Sequence, residues 1–353
     1  MANVGIMGAG GWALGLAMTL NRNNHKVTVW SKVKAELDAI RETGQNERSL
    51  PGVMIPKEIV LSEDLKALAE NNDILIMAVA SPYVRSTAKE LFLTGVKNLK
   101  IVNVAKGIEE GTLRTMTQII EEEIPDCKTA VLSGPSHAEE VSRFLPTTCV
   151  VGAADKDFAL YLQDIFNSDV FRVYTSPDVL GIELGGSLKN VIALAAGVAD
   201  GLGYGDNTKA ALITRGIHEI ARLGVAMGGK LQTFYGLSGI GDLIVTCASM
   251  HSRNRRAGIL MGQGKTMEEA MAEVHMVVEG VYSAKAAAEL SEKYNVEMPI
   301  VKTVNQILFD KDFSASKSTG MLMERSAKVE NLDILEDVLA LYRRFGQRYI
   351  VPY

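Results

Sequence analysis

The chain has 353 residues, of which 47% are hydrophobic and 22% are charged, and it contains no low-complexity tract. This length and composition are typical of a globular protein with two domains. The formal net charge of -5 argues against a nucleic-acid-binding protein, because that function uses a basic field to neutralise phosphates.

The cysteines and the N-terminus indicate the cellular compartment. Cys127, Cys149 and Cys247 are odd in number and lack metal-ligand spacing, so we expect buried free thiols in a reducing compartment. Met1 leads within two residues into a strand pattern, without a basic leader or a long apolar segment. The sequence therefore predicts no secretion signal, no transmembrane segment and a cytoplasmic location.

The first half of the chain alternates strand and helix patterns. Residues 3–7 form a short apolar run, residues 8–13 a glycine-rich turn, and residues 14–20 a buried helix. Further strands are predicted at 27–30, 73–79, 100–105, 129–132, 149–152 and 171–174. This alternation predicts an α/β fold, a Rossmann-like doubly wound parallel sheet.

The pattern changes near Pro177, and we place a domain boundary between residues 178 and 186. Residues 1–182 are expected to form the Rossmann-like domain and residues 183–353 a mostly α-helical domain. The helical patterns in this second part are at 190–199, 208–223, 267–272, 281–294 and 334–345. Two glycine-rich patches, 197–205 and 236–241, are predicted to be turns between helices.

The glycine-rich turn predicts a dinucleotide site. Gly8, Gly10 and Ala13 fit the G-x-G-x-x-A fingerprint, in which small residues let the backbone approach a pyrophosphate at a helix N-terminus. An NAD-specific site has an acidic residue about 20 positions later, but here the chain has Ser31 and Lys32, which suit a 2′-phosphate. The sequence favours NADP over NAD, while use of both cofactors and a surface role for Lys32 stay open.

Three other segments carry polar residues suited to a small ligand. Lys106 follows the predicted strand 100–105, at the edge of the sheet where such folds bind ligands. Ser136 lies in a turn that could equally be structural. Arg253 and Asn254 offer planar donors for a phosphate, although a run of arginines is also typical of a solvated face.

Lys189 opens the apolar run 191–199, which is predicted to be a buried helix. Burying an ammonium is costly, and desolvation makes lysine a useful acid or base near neutral pH. The alternative is that Lys189 reaches solvent from the first helical turn. Asp242 is the candidate partner for Lys189, but the sequence does not establish that they meet. The five histidines form no convincing metal set, so no metal is expected.

Taken together, these segments resemble NAD(P)-dependent sn-glycerol-3-phosphate dehydrogenases of the soluble bacterial type. The resemblance extends to about residue 330 and rests, in order, on residues 8–13, 103–107, 132–138, 183–191, 206–215, 239–246, 252–256 and 277–280. It implies an amino-terminal Rossmann domain that binds NADP or NAD and a helical substrate domain. It also implies reversible reduction of dihydroxyacetone phosphate to sn-glycerol 3-phosphate, the precursor of phospholipids.

The resemblance also implies roles for individual residues. Lys189 is the expected catalytic acid and base at the C2 oxygen, oriented by Asp242. The expected substrate-binding residues are Lys106, Gly134, Ser136, Asn190, Thr246, Ser252, Arg253 and Asn254. Together with the fingerprint, the expected cofactor-binding residues are Gly8, Gly10, Gly11, Trp12, Ala13, Ser31, Lys32, Lys106, Ala138, Arg253, Val277 and Glu279.

Two positions depart from the family pattern, and one segment extends it. Ala13 stands where the family commonly has glycine, and Lys32 where a histidine or another polar residue is frequent, which leaves the cofactor preference open. Residues 331–353 pass the usual family end and carry an apolar helical face. We expect this face to pack on its own domain rather than in a dimer, although a homodimer stays open.

Two other functions stay open. One is a related reductase that acts on another phosphorylated or acidic carbonyl compound. The other is a nicotinamide-binding redox sensor without turnover, which is disfavoured because a sensor needs no proton donor beside a phosphate site.

Overall fold

This computed structural model describes residues 1–324. The chain separates into two compact units, Met1–Ser316 and Lys317–Tyr353. Within the second unit the described part contains one short helix, Ser318–Met323. The predicted helix 334–345 and the extension 331–353 lie outside the described residues.

An eight-stranded sheet forms the core of the first half of the chain. Its strands are β1 Asn3–Met7, β2 Lys26–Trp30, β3 Val60–Ser62, β4 Ile74–Met77, β5 Lys100–Asn103, β6 Lys128–Ser133, β7 Thr147–Gly152 and β8 Phe171–Ser176. Their spatial order is β3-β2-β1-β4-β5-β6-β7-β8. β1 and β4 are almost continuously apolar and buried, as expected for central strands covered on both faces. The predicted Rossmann-like doubly wound sheet is confirmed.

The sheet differs from the prediction in two places. β7 pairs with β6 in the antiparallel direction, so the sheet is not purely parallel. The short edge strand β3 was not predicted, because its three residues are exposed or half-buried and give no apolar run.

Seven helices connect these strands. They are α1 Gly11–Arg22, α2 Lys34–Thr43, α3 Leu65–Asn71, α4 Val84–Leu93, α5 Met116–Glu123, α6 Ala138–Val141 and α7 Lys156–Phe166, with a 3₁₀ turn at Ser81–Tyr83. After the sheet the first unit is helical, as predicted. Its helices are α8 Val179–Gly201, α9 Asp206–Ala226, α10 Leu231–Phe234, α11 Asp242–Ala248, α12 Arg253–Gly262, α13 Met267–Val274, α14 Glu279–Lys293 and α15 Pro299–Phe309.

Helix α8 is the central element of this helical part. It is long and apolar enough to cross a membrane, but 89% of its apolar window is buried inside the protein. It packs against α9, α11, α12 and α14, which identifies it as a core helix. The proposed boundary between residues 178 and 186 coincides with its first turns, and the division into domains 1–182 and 183–353 stays a prediction.

The two glycine-rich patches form different structures from those predicted. Residues 197–201 belong to α8, so the predicted turn covers only the segment after Gly201. Residues 237–241 form a π-helical turn that leads directly into α11. Tertiary packing explains the first difference, because Gly197 and Gly201 face α12.

Glycines allow α8 and α12 to approach at backbone distance. A Cβ added to Gly197 would lie 2.2 Å from the carbonyl oxygen of Arg255, and one added to Gly258 would lie 2.3 Å from that of Leu194. Both distances are shorter than any van der Waals contact. The close approach fixes α12 against α8, and each of these helices carries predicted site residues.

We predict that Gly258→Ala lowers the free energy of unfolding by roughly 1–3 kcal/mol, because the two helices must separate to admit a methyl group. Urea denaturation measures this change. The matched control is Gly205→Ala, since nothing lies within 4 Å of a Cβ added there. Equal unfolding midpoints for the two variants would contradict the prediction.

Candidate active site

A cleft of about 280 Å³ opens at the carboxyl ends of the central strands, where open α/β sheets bind ligands. The loops after β1, β4, β5 and β6 form one side of it, and residues from α8, α11, α12 and the segment before α14 form the other. The predicted site residues that line the cleft are Gly10, Gly11, Trp12, Ala13, Lys106, Ser136, Ala138, Lys189, Asn190, Thr246, Ser252, Arg253, Asn254 and Glu279. The sequence thus placed residues from seven separate segments at one site.

Six predicted residues lie outside this lining. They are Gly8, Ser31, Lys32, Gly134, Asp242 and Val277. Gly8, Gly134 and Asp242 support neighbours that do line the cleft, as the contacts described below establish. Val277 is half-buried between Met276 and Val278 and does not reach the cleft.

The glycine-rich turn leaves room for an anion at the start of α1. Gly8 has a φ of +119°, and a Cβ there would lie 2.9 Å from the carbonyl oxygen of Ala78, so this position requires glycine. Gly10 has no atom within 4 Å of an added Cβ. The first turn of α1 contains no acidic residue, and its free N–H groups favour an anion. These features fit the pyrophosphate of a dinucleotide.

Trp12 supplies a second observation at the same place. Its indole Nε1 is enclosed and forms no hydrogen bond with any residue in the described part of the chain. An enclosed N–H without a partner is unfavourable, so a water or a ligand atom is expected beside it. The completely buried Ala13 and the half-buried Ala138 also line the cleft.

The residues expected at the adenosine end have partners of their own. Ser31 Oγ donates to Glu36 Oε2 at 2.7 Å, and Lys32 Nζ lies 2.5 Å from Glu90 Oε1. The lysine side chain is 70% exposed. Glu36 therefore brings a carboxylate to the end of β2, where the position about 20 residues after the fingerprint predicts none. The preference for NADP stays a prediction.

Lys189 lies in the middle of α8 and does not reach solvent, so the alternative of a solvent-exposed lysine is wrong. Its side chain is 7% exposed. Its Nζ donates to Asp242 Oδ1 and, at 2.6 Å, to Thr246 Oγ1. The Thr246 hydroxyl donates in turn to the carbonyl oxygen of Asp242 at 2.6 Å. The predicted partner Asp242 and Thr246, which was expected to bind substrate, thus hold the ammonium in one orientation.

Asp242 also binds a second lysine. Lys106 Nζ donates to Asp242 Oδ2 at 2.6 Å and to the carbonyl oxygen of Gly134 at 3.3 Å. Ser136 Oγ donates to the same carbonyl at 2.9 Å. One buried carboxylate therefore lies between two ammonium groups.

The charges in this cluster shift the pKa values of its members. Burial lowers the pKa of Lys189 to about 8, with Lys106 acting in the same direction and Asp242 opposing both. Burial alone would raise the pKa of Asp242, but the two ammonium groups outweigh it and hold that pKa below its usual value. Lys189 can therefore both release and accept a proton near neutral pH.

The start of α12 offers a second place for an anion. Ser252 Oγ caps this helix by accepting from the Arg255 N–H at 3.2 Å. Arg253 lines the cleft, and its guanidinium forms no hydrogen bond or ion pair within residues 1–324. Asn254 is fixed, because its Nδ2 donates to Asn190 Oδ1 at 2.9 Å and its Oδ1 accepts from the Gly280 N–H at 2.8 Å. A guanidinium at a helix N-terminus suits a phosphate.

Glu279 closes the other end of the cleft. Its carboxylate accepts from the backbone N–H of Ser81 at 3.2 Å and from the Ser81 hydroxyl. Burial raises the pKa of Glu279. This contact joins the start of α14 to the loop after β4.

Several lining residues were missed by the sequence analysis. They are Ser49, Ala78, Val79, Ala80, Val104, Ala105, His137, Glu139, His251, Arg256 and Met276. Val104, Ala105, His137 and Arg256 lie inside the segments on which the family resemblance rests, and His251 directly precedes one of them, so these five residues were detectable. The Nε2 of His137 is enclosed without a partner in the described part of the chain, and the ring of His137 lies 5.8 Å from that of His251. Ser49 and Met276 gave no sequence signal.

The remaining titratable groups give no metal site. Among residues 1–324, no three or more His, Cys, Asp or Glu side chains are placed to hold a metal ion. The three cysteines are free, with Cys149 and Cys247 buried and Cys127 half-buried. Burial raises the pKa of the Cys149 thiol to about 12, which makes it unreactive.

Comparison with known proteins gives consistent matches. The family models for the NAD-dependent glycerol-3-phosphate dehydrogenase N-terminus and C-terminus match residues 3–159 and 178–316. A glycerol-3-phosphate dehydrogenase (NAD(P)+) of Fusobacterium nucleatum subsp. nucleatum is 58% identical, covering 94% of this chain and 99% of the relative. One from Agathobacter rectalis is 56% identical, covering 94% and 98%. The crystal structure of glycerol-3-phosphate dehydrogenase from Coxiella burnetii is 35% identical, with a TM-score of 0.88 over 92% of this chain and 99% of that one.

We predict that Asp242→Asn lowers the free energy of unfolding by roughly 3–5 kcal/mol at neutral pH, because it leaves two ammonium groups without their carboxylate. The free energy of unfolding should fall by more at about pH 6 than at about pH 9. Without Asp242 the pKa of Lys189 falls further below that of an unfolded lysine, so stability increases as pH rises.

Urea denaturation at the two pH values measures this effect. Asp169→Asn is the control, because Asp169 pairs with Arg22 on the surface and its side chain is 69% exposed. The prediction would be contradicted if Asp242→Asn lowered the free energy of unfolding by the same amount at both pH values.

Proposed function

The chain belongs to the NAD-dependent glycerol-3-phosphate dehydrogenase family, and we propose that it interconverts dihydroxyacetone phosphate and sn-glycerol 3-phosphate by hydride transfer with NAD(P)(H). The observation that carries this proposal is the buried pair of Lys189 and Asp242. Lys189, held by Asp242 behind it, lines the same cleft as the free guanidinium of Arg253 and the N-terminus of α1. The proposed proton donor, phosphate site and dinucleotide site therefore lie along one cleft.

The turn at the start of α1 would hold the cofactor. The N–H groups of Gly10 and Gly11 would bind the pyrophosphate, with Trp12 beside them. When bound, the nicotinamide supplies the hydride in reduction and accepts it in oxidation. Ala138 and Glu279 bound the nicotinamide side of the cleft.

Lys189 supplies the proton in the direction of reduction. Hydride addition to the C2 carbonyl puts negative charge on its oxygen, and the ammonium stabilises this charge and then protonates it. Asp242 and Thr246 keep the ammonium in place, since both accept hydrogen bonds from Nζ. In the direction of oxidation, the neutral amine removes the hydroxyl proton.

The phosphate group gives the substrate its orientation. Arg253 and the N-terminus of α12 bind the phosphate, while Asn254 is held rigid by Asn190 and Gly280. Binding energy at this remote group is used to place C2 beside Lys189. Lys106 and Ser136 contact the substrate from the loops after β5 and β6.

The biological setting is part of the proposal. We place the enzyme in the cytoplasm, where it supplies glycerol 3-phosphate for phospholipid synthesis. Lys32 at the end of β2 favours NADP, whereas the carboxylate of Glu36 beside Ser31 favours NAD. Both cofactors are therefore to be assayed.

A spectrophotometric assay tests the proposed function. Oxidation of NADPH and NADH is followed with dihydroxyacetone phosphate, with unphosphorylated dihydroxyacetone and with a panel of phosphorylated and acidic ketones. Oxidation that depends on dihydroxyacetone phosphate supports the proposal. Preference for another ketone indicates the related reductase, and cofactor binding without any turnover indicates the sensor.

We predict that Lys189→Met lowers kcat for dihydroxyacetone phosphate reduction by roughly 10²- to 10⁴-fold, because the variant has no proton donor. Lys128→Met is the control, since Lys128 forms an exposed pair with Asp155 and does not line the cleft. Circular dichroism verifies that both variants fold. Turnover by Lys189→Met equal to that of the control would remove the proposed role of Lys189.

We also predict opposite pH profiles for the two directions of the reaction. Reduction uses the ammonium of Lys189, whose pKa is lowered to about 8, so kcat/KM for reduction falls as pH rises through that value. Oxidation uses the neutral amine, so its kcat/KM rises over the same range. Initial rates from about pH 6 to about pH 10 measure how kcat/KM depends on pH in each direction. Identical profiles in the two directions would contradict the assignment.

A further inference from the structure

Glu183 is a buried carboxylate that the proposed reaction does not use. It lies six residues before Lys189 on α8 and is 5% exposed. Its Oε1 accepts from the Thr117 N–H at 2.9 Å and from Asn103 Nδ2 at 3.1 Å, and its Oε2 accepts from Thr117 Oγ1 at 2.5 Å. Within residues 1–324 it forms no ion pair with a basic side chain, and burial raises its pKa.

Burying a carboxylate without a cation is costly, so the hydrogen bonds of Glu183 have to offset that cost. One group of these bonds joins Glu183 to Thr117 in the first turn of α5. The N-terminal N–H groups of that helix partly compensate the charge. The remaining bond joins Glu183 to Asn103, the last residue of β5, and so connects Glu183 to the loop that follows β5.

Asn103 fixes the residue that precedes Lys106. Its Nδ2 donates to the carbonyl oxygen of Ala105 at 3.0 Å, and its Oδ1 accepts from the Ala105 N–H at 3.0 Å. On the other side of the lysine, Ser187 Oγ donates from α8 to the carbonyl oxygen of Gly107 at 3.1 Å. Helix α8 therefore holds the loop both before and after Lys106.

The position of Lys106 matters for the chemistry of Lys189. Lys106 shares the carboxylate of Asp242 with Lys189, and its charge contributes to the lowered pKa of Lys189. A Lys106 that moved away would remove this contribution. The other titratable groups that act on or respond to the Lys189 charge are Cys247 and His137.

We propose that Glu183 is a positioning residue: through Asn103 it fixes the loop that carries Lys106 and thereby holds Lys106 against Asp242 beside Lys189. This inference rests on the proposed function for its meaning in turnover. Its physical content, the placement of one ammonium by a buried carboxylate, can be measured without turnover.

The experiment compares Glu183→Ala with Glu219→Ala. Glu219 is an equally buried glutamate that accepts from the N–H groups of Ile300 and Val301 at the start of α15, away from the cleft. It therefore controls for the general loss of a buried carboxylate. We expect Glu183→Ala to lower kcat/KM for dihydroxyacetone phosphate roughly tenfold, because Lys106 no longer has a fixed position. In Glu183→Ala the fall of kcat/KM for reduction with rising pH should occur at higher pH. Glu219→Ala should keep the pH profile of the wild type.

Glu183→Gln separates position from charge. Its amide oxygen can still accept from Thr117 and Asn103, so we expect rates within about threefold of wild type and an unshifted profile. Asn103→Ala breaks the same connection without altering the carboxylate. It should reproduce the shift of Glu183→Ala, and the double variant should show no further shift because both changes act through one path.

NMR titration of protein labelled with ¹³C-lysine reads the pKa of Lys189 directly, with its signal assigned by the Lys189→Met variant. A raised pKa in Glu183→Ala or Asn103→Ala supports the inference, and an unchanged pKa in both overturns it. A wild type that does not reduce dihydroxyacetone phosphate would refute the proposed function, while the titration would still decide the role of Glu183. Loss of activity in Glu183→Gln equal to that in Glu183→Ala would also overturn the inference, since charge rather than position would then be responsible.

Discussion

The carboxylate of Asp242 is the interaction on which the rest of the site depends. It accepts hydrogen bonds from Lys189 on one oxygen and from Lys106 on the other, and it is almost completely enclosed. Two ammonium groups could not remain in this cleft without it, because each loses most of its hydration there. The cluster keeps one positive charge in excess. That excess suits a cleft that has to stabilise an oxyanion and bind a phosphate.

Helix α8 gives this cluster its geometry. Lys189 and Asn190 lie on the helix itself, and Ser187 and Glu183 hold the loop that carries Lys106. The glycines toward its C-terminal end admit α12 at backbone distance, and α12 begins with the proposed phosphate-binding residues. One buried helix thus sets the separation between the ammonium of Lys189, the ammonium of Lys106 and the guanidinium of Arg253. This explains why so apolar a helix contains a lysine and a glutamate in its interior.

Much of this architecture could be predicted from the sequence, but its contacts could not. Central strands such as β1 and β4 are continuously apolar and were recognised, whereas the half-exposed β3 left no pattern. Resemblance to a family identified Lys189 and Asp242, but no spacing rule reveals that Asp242 also binds Lys106. Glu36 lies only five residues after Ser31, in the first turn of α2, so this contact depends on the local backbone path between β2 and α2. The contact between Lys106 and Asp242 depends instead on tertiary packing between residues 136 positions apart.

The net charge of the cluster also links substrate binding to proton transfer. In the free enzyme the pKa of Lys189 is lowered to about 8, in part because Lys106 lies beside the same carboxylate. In the proposed binding mode, the phosphate of the substrate adds negative charge to the cleft near Arg253. Negative charge nearby favours the ammonium form, so we expect the pKa of Lys189 to rise in the substrate complex. The proton is therefore held most firmly when a ketone is present to receive the hydride. In this proposal the negative charge of the substrate's phosphate keeps Lys189 in the ammonium form that reduction requires. When the product leaves, the pKa of Lys189 returns to about 8, so the lysine can exchange its proton with solvent.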